Sequence, residues 1–195
     1  MVVGYHLIWT IYGSWLPNDP RGSMSREIRC ADIVGLGELH YGRKKVQPAG
    51  EDIRQFYEAA KNVLKHDILN FSSAEIELLG EEFAKVVRQR AYTCYACAIM
   101  PDHVHMLIRK HRDQAEQMIK NLQDASRAIF IARGIRPVEH PVWGGPGWKV
   151  FLETRDDIRR VVKYIEDNPA KARRPKQAWD FVTPYDGWLP GLAPR

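Results

Sequence analysis

The stretch Ala91-Tyr-Thr-Cys-Tyr-Ala-Cys-Ala-Ile-Met100-Pro-Asp-His-Val-His-Met-Leu-Ile-Arg-Lys110 decides the fold. Two runs rich in apolar residues, Ala91 to Met100 and His103 to Lys110, flank a Pro101-Asp102 pair, which predicts a β-hairpin with a tight turn. Side chains alternate faces along a strand, so Val104, Met106 and Ile108 take the buried side. His103 and His105 then leave the opposite face together, close enough to share a metal ion. Paired histidines half-exposed on a strand are common, so this pattern alone does not establish a metal site. Asp102 reads as a turn residue, with a contact to the first histidine as the alternative.

Outward from the hairpin, Val2 to Tyr12 is β-branched and aromatic and reads as a buried first strand. Residues 13–50 are broken by repeated Gly and Pro and predict a long loop insertion, which is uncommon inside a compact domain. Its basic and aromatic side chains, Trp15 and Arg21 among them, suit single-stranded nucleic acid. A mobile surface insertion explains them equally well. Ile53, Phe56, Tyr57, Ala60, Val63, Leu64 and Ile68 recur at helical spacing and predict a helix from Glu51 to Leu69. Ser72-x-x-Glu75 is a capping box opening a second helix with Ile76, Leu79, Phe83, Val86 and Val87 inward. After the hairpin come a third helix from Gln114 to Arg133, a short strand from Trp148 to Leu152, and a fourth helix from Asp156 to Asn168. Pro169 is expected to end the last of these, because the residue before a proline disfavours helix.

The order of strand, helices, two strands, helix, strand and helix suggests an α+β sandwich, an antiparallel sheet covered by helices. One domain is expected over 1–175, followed by a Pro- and Trp-rich tail over 176–195. A chain of 195 residues with 45% apolar and 27% charged residues excludes global disorder, a collagen-like repeat and a coiled-coil rod. No stretch is long and apolar enough to span a bilayer. The first residues lack the features of a signal peptide, which points to a cytoplasmic protein. Cys30, Cys94 and Cys97, an odd number of cysteines, argue against a disulfide framework, and the Cys94-x-x-Cys97 pair, lying in an apolar strand without a second pair, reads as two packed thiols. The net charge is 29 − 24 = +5. Between Arg155 and Lys176 lies a local excess of basic residues, including Arg160, Lys163, Arg173 and Arg174, where contact with a polyanion is plausible although solvated surface charge explains them too.

On the fourth helix, Tyr164 and Asn168 are four apart and share a face. A tyrosine at the border of a helix's buried face usually just packs. Together with the His-x-His strand it means more. The run Ala98 to Ile108 (AIMPDHVHMLI) followed by Tyr164-Ile-Glu-Asp-Asn-Pro169 closely resembles the single-tyrosine HUH transposases, especially the REP-associated tyrosine transposases. The opening strand, Trp15-Leu-Pro-Asn-Asp-Pro-Arg-Gly22 and Val142-Trp143 also look like that group.

This resemblance implies a ferredoxin-like sandwich and a metal-dependent enzyme that cleaves and rejoins single-stranded DNA, at sites containing hairpins. His103 and His105 would be ligands of Mg²⁺ or Mn²⁺, Asn168 would add an oxygen ligand, and Tyr164 would be the nucleophile that forms a 5′-phosphotyrosine link. Apart from the resemblance, Arg160 or Lys163 is placed to lower the phenol's pKa or clamp the phosphate, with solvated surface charge the bland alternative for each. Arg173, Arg174, Trp15 and Arg21 are further candidates for DNA contact. The implied partner is single-stranded or hairpin DNA, the setting cytoplasmic and nucleoid-associated, and the assembly a monomer or a homodimer. Two alternatives stay open: a hairpin-binding protein of the same ancestry that does not cut, and a metal-dependent hydrolase in which Tyr164 merely packs.

Overall fold

The computed structural model describes residues 1–191. Strands β1 (Gly4–Thr10), β2 (Cys94–Ile99), β3 (His103–Arg109) and β4 (Trp148–Leu152) form one sheet in the order β2-β3-β1-β4, with every neighbouring pair antiparallel. Helices α1 (Gly50–Val63) and α2 (Ser73–Arg90) connect β1 to β2, and α3 (Ala115–Ala132) connects β3 to β4. Read from the β4 edge, the strand order is 4-1-3-2 across two split β-α-β units. That is the ferredoxin-like α+β arrangement.

Across β1, β2 and β3 the sheet is largely buried on both faces, whereas Val150 and Phe151 of the edge strand β4 are exposed. Tyr5, Leu7, Trp9 and Ile11 of β1 join Val104, Met106 and Ile108 of β3 under α2 and α3. The opposite face carries Ala96, Ala98 and Leu107, covered by α4 (Arg155–Glu166) through Ile158 and Ile165. Cys94 and Cys97 both belong to the first core although three residues apart. A register shift between Cys94 and Ala96 explains this, since a bulge inserts one residue and resets the alternation. Both thiols are free and buried, and burial pushes the Cys94 thiol up to about 12.

Side-chain caps open α2 and α4. Ser72 Oγ accepts from the Glu75 N–H at 3.3 Å while the Glu75 carboxylate accepts from the Ser72 N–H at 2.8 Å, the expected capping box. Thr154 and Asp157 make the same exchange at the start of α4, at 3.0 and 3.2 Å. Two ends differ from the sequence reading. Helix α1 stops at Val63 instead of continuing to Leu69. The chain turns so that the Leu69 N–H reaches the Tyr12 carbonyl (3.1 Å) and the Phe71 N–H reaches the Pro101 carbonyl (2.8 Å), which buries both side chains at the end of the sheet.

Pro169, in turn, does not end the helical path. After Asp167 the chain starts a second short helix, α5 (Asn168–Lys171), with Pro169 in its first turn. A proline is tolerated there because its missing N–H would have no partner in any case. This break folds Lys171 back over the site.

The 13–50 segment contains only a short 3-10 helix, Ala31–Leu36, yet it is held firmly on α1 by a cluster of Leu16, Ile33, Phe56 and Ala60. Asp19, 1% exposed, takes the Arg21 guanidinium at 2.6 Å and the Tyr57 hydroxyl at 2.5 Å. The tail beyond α5 runs as coil along the outer edge of β2. The Gln177 amide mimics a neighbouring strand there, donating to the Ile99 carbonyl (2.7 Å) and accepting from the Ile99 N–H (2.9 Å), which closes an otherwise open sheet edge. Trp179 packs on Gly80 of α2, where any Cβ would overlap the indole. Residues 192–195 of the expected tail lie outside the described residues.

Candidate active site

The alternation of β3 carries out what its sequence predicts. Val104 and Met106 are fully buried beneath α2 and α3, while His103 and His105 stand on the α4 side with ring centroids 4.8 Å apart and planes at 84°. The two rings are not equally open. The His103 side chain retains some exposure, whereas His105 is 6% exposed.

Each imidazole is anchored through the same atom. His103 Nδ1 lies 2.6 Å from Asp102 Oδ1, and the other Asp102 oxygen accepts from the Trp15 indole N–H at 3.3 Å. Asp102 is therefore both a turn residue and the partner of His103, where the sequence reading favoured the turn alone. Burial would raise its carboxyl, but the hydrogen bond and charge of His103, with help from Trp15, hold it below its ordinary value. His105 Nδ1 lies 2.9 Å from Nε2 of His6, a β1 residue to which the sequence reading assigned no role. Strand register explains the meeting: Ile8 pairs with His105 and His6 with Leu107, so His6 sits diagonal to His105 on the same face.

Burial pulls His6 down to about 4 and, with the neighbouring charges of His103 and His6, pulls His105 well below its usual range. Both rings stay neutral near pH 7, the form a metal ligand must take. With both Nδ1 atoms committed, the Nε2 atoms of His103 and His105 are the edges left for a ligand. Fixing one ring nitrogen by a hydrogen bond so that the other can coordinate is a recurring device of metal-binding histidines.

Tyr164 reaches this pair from α4. Its ring meets His105 edge-on at 5.4 Å between centroids and His6 at 6.0 Å, and it is 43% exposed. The tyrosine is thus anchored against the histidines with room to meet a substrate. Asn168 lines an open groove of about 460 Å³ with Asp102, His103, Lys171 and Arg174. Among the described residues, no group of three or more His, Cys, Asp or Glu is arranged to hold a metal ion. A metal here would rest on two imidazoles and the amide oxygen of Asn168, a neutral set that leaves positions for phosphate and water. The anchored histidine pair fits such an ion, and its nitrogen donors suit Mn²⁺ better than Mg²⁺.

The cations sort differently from the sequence reading. Lys171, part of the basic 155–176 segment but not singled out there, places its ammonium 4.7 Å from the Tyr164 ring centroid and adds to the field on His105. Arg160 is bonded to Asp157 within α4 at 2.5 Å. Lys163 and Arg173 are exposed, and Arg174 borders the groove. The Arg21 guanidinium lies 3.8 Å from the Trp15 ring centroid and has its charge matched by Asp19. Trp15 and Arg21 therefore tie the long loop to Asp102, behind His103.

The ferredoxin-like sheet thus carries a His-x-His strand facing a helix-borne tyrosine. The family model for IS200-like transposases matches residues 59–168, more than half of the chain, and the protein belongs to that family. Structures similar to it include a candidate transposase from Deinococcus radiodurans R1, at 14% identity and TM-score 0.42, covering 86% of this chain and 91% of that one. Another is a REP-associated tyrosine transposase bound to a REP hairpin, at 14% identity and TM-score 0.46, covering 98% of this chain and 93% of that one. No curated protein matches the chain significantly. Among the described residues, no helix is long and apolar enough to cross a membrane.

Proposed function

We propose that this protein cleaves and rejoins single-stranded DNA at hairpin-containing sites, with Tyr164 as nucleophile and a divalent cation, Mn²⁺ or Mg²⁺, held by His103, His105 and Asn168. The observation that carries this reading is the contact of the Tyr164 ring with His105, whose remaining ring nitrogen is left for a ligand.

The Tyr164 Oη would attack the scissile phosphorus as its proton passes to solvent. The bond from phosphorus to the 3′ oxygen breaks, that oxygen takes up a proton, and the DNA is left with a free 3′-hydroxyl and a 5′-phosphotyrosine link. One phosphodiester is exchanged for another, so the reverse step rejoins ends without an external energy source. An ordinary phenol, with a pKa of about 10, is only about one part in a thousand ionised at pH 7, so the step needs charge stabilisation. A bound divalent cation would supply Lewis-acid polarisation of the phosphoryl oxygens. Lys171, beside the tyrosine, would add positive charge where the phosphate's negative charge grows, and Arg174 would hold the strand along the groove. Asp102 and Trp15 keep the His103 ring in place throughout.

The test is a denaturing gel of the protein incubated with Mn²⁺ or Mg²⁺ and labelled single-stranded hairpins from the flanks of its gene. Wild type should give a labelled band at the mass of protein plus DNA, absent from Tyr164→Phe and from an EDTA control. Cleavage that survives Tyr164→Phe would replace this reading by a metal-dependent hydrolase. Hairpin binding with no cleavage at all would replace it by a binding protein of the same ancestry.

A further inference from the structure

His6 is buried, polar and distant in sequence from every residue assigned to the chemistry, yet among the described residues its side chain's hydrogen-bond partner is a candidate metal ligand. We propose that His6 is a positioning residue that sets the tautomer and ring orientation of His105, so that His105 presents an unprotonated Nε2 to the divalent cation. The proposal rests on the metal reading of the preceding section.

Two neutral imidazoles in contact through His6 Nε2 and His105 Nδ1, 2.9 Å apart, share one proton between those two atoms. If His105 holds it, His105 donates from Nδ1, its Nε2 lone pair is free, and the proton of His6 sits on Nδ1. If His6 holds it, the proton of His105 must sit on Nε2, and the edge facing a ligand is blocked. Only the first arrangement can bind a metal.

His103 faces no such choice. Its partner is the Asp102 carboxylate, which accepts and does not donate, so Nδ1 of His103 carries a proton whatever else is bound. The two ligands are prepared by different means, one by an anion and the other by a neutral ring. A neutral partner at His105 adds no negative charge beneath the site, which keeps the cation's charge available to a phosphate. The His6 side chain is held for this task. It lies 7% exposed on β1, paired across the sheet with Leu107 on one side and Val150 on the other, with the Tyr164 ring against it.

Wild type, His6→Phe and His6→Gln separate positioning from packing. Phenylalanine fills the space of the ring without an acceptor, whereas the glutamine amide oxygen can accept from His105 Nδ1. Mn²⁺ affinity, measured without DNA by the paramagnetic resonance of free Mn²⁺, should fall roughly 10- to 100-fold in His6→Phe, as for other partners of metal-bound histidines. In His6→Gln it should stay within a few-fold of wild type, and circular dichroism should show both variants folded. In the metal-free wild type, long-range proton–nitrogen spectra should place the His105 proton on Nδ1.

Mn²⁺ binding that His103→Ala abolishes but His6→Phe leaves at wild-type strength overturns the role of His6 alone. Equal weakening in His6→Phe and His6→Gln overturns it too, since it assigns the effect to packing. A His105 proton on Nε2 overturns it whatever the metal does. Wild type that binds no Mn²⁺ is the distinct failure of the metal reading, and it removes this role along with that reading.

Discussion

Replacing Tyr57 by phenylalanine removes a single oxygen atom from the junction between the long loop and α1. That oxygen donates to Asp19 Oδ2 at 2.5 Å and accepts from the Trp15 backbone N–H at 2.9 Å and from Arg21 Nη2 at 3.0 Å. Burial and the charge of Asp19 push the Tyr57 phenol far above its ordinary value, so it remains a donor at any working pH. A hydrogen bond to a charged group contributes about 1.5–3 kcal/mol, and a buried polar group left without a partner costs about 1–3 kcal/mol. The Arg21 guanidinium stays on Asp19 and offsets part of this, and the ring leaves no cavity. The expected loss of stability is about 2–4 kcal/mol. It falls where the backbone is already strained: Trp15 holds φ at 52°, a left-handed conformation costly to any residue with a Cβ. Since the Trp15 indole holds Asp102, and Asp102 holds His103, the loss should reach the site. Urea denaturation followed by tryptophan fluorescence measures the first effect, and Mn²⁺ affinity the second, with a several-fold weakening expected. A variant within about 0.5 kcal/mol of wild type would refute the claim that this network fixes the loop. A destabilised variant with unchanged Mn²⁺ affinity would refute its connection to the site.

Other outcomes follow from the same contacts. Gly80→Ala should destabilise the protein by about 1–3 kcal/mol by overpacking against Trp179, although alanine in a helix interior ordinarily gains about 1 kcal/mol; a raised urea midpoint would contradict that packing. Lys171→Met should slow DNA cleavage about tenfold with Mn²⁺ affinity unchanged, whereas Arg160→Ala, whose charge is already matched by Asp157, should stay within about twofold; the reverse ranking in single-turnover rates would place the functional cation wrongly. Acid should destabilise the metal-free protein through His6. Its folded value of about 4 lies below the ordinary value of about 6.5, so between these the unfolded chain binds a proton that the folded one does not. This contribution is fully present above about pH 6.5 and lost toward pH 4, by about 3 kcal/mol. Urea midpoints in EDTA should show a slope in that window that His6→Gln makes shallower, the rest coming from His105, and identical slopes would contradict it.

What could be read in the sequence was what is local. The period of two along β3 places His103 and His105 on one face, and the spacing along α2 brings Ile76, Leu79 and Phe83 inward, because both depend on backbone geometry over a few residues. His6 escaped notice because its meeting with His105 depends on the register of two strands 99 residues apart. The period of two along β1, with Tyr5, Leu7 and Trp9 on the core side, already puts His6 on the other face, and the β1–β3 pairing was the missing piece. Lys171 was missed because Pro169 read as a stop; the chain instead restarts a helix after Asp167 and carries the lysine over Tyr164. The long loop looked unstructured because its anchors on α1, the Asp19–Tyr57 hydrogen bond and the packing of Leu16 and Ile33 on Phe56 and Ala60, join residues far apart in sequence, which local periodicity does not report. Asp102 served the turn and the histidine at once, and only the side-chain geometry shows the second role.

The central claim is that Tyr164 becomes covalently joined to DNA. Tandem mass spectrometry of the protease- and nuclease-digested reaction mixture tests it most directly. The expected result is a peptide containing Tyr164 that carries a nucleotide through its 5′ phosphate and disappears when the metal is chelated. Cleaved DNA with free 5′ phosphates and no modified peptide, or a nucleotide on a different residue, would contradict it.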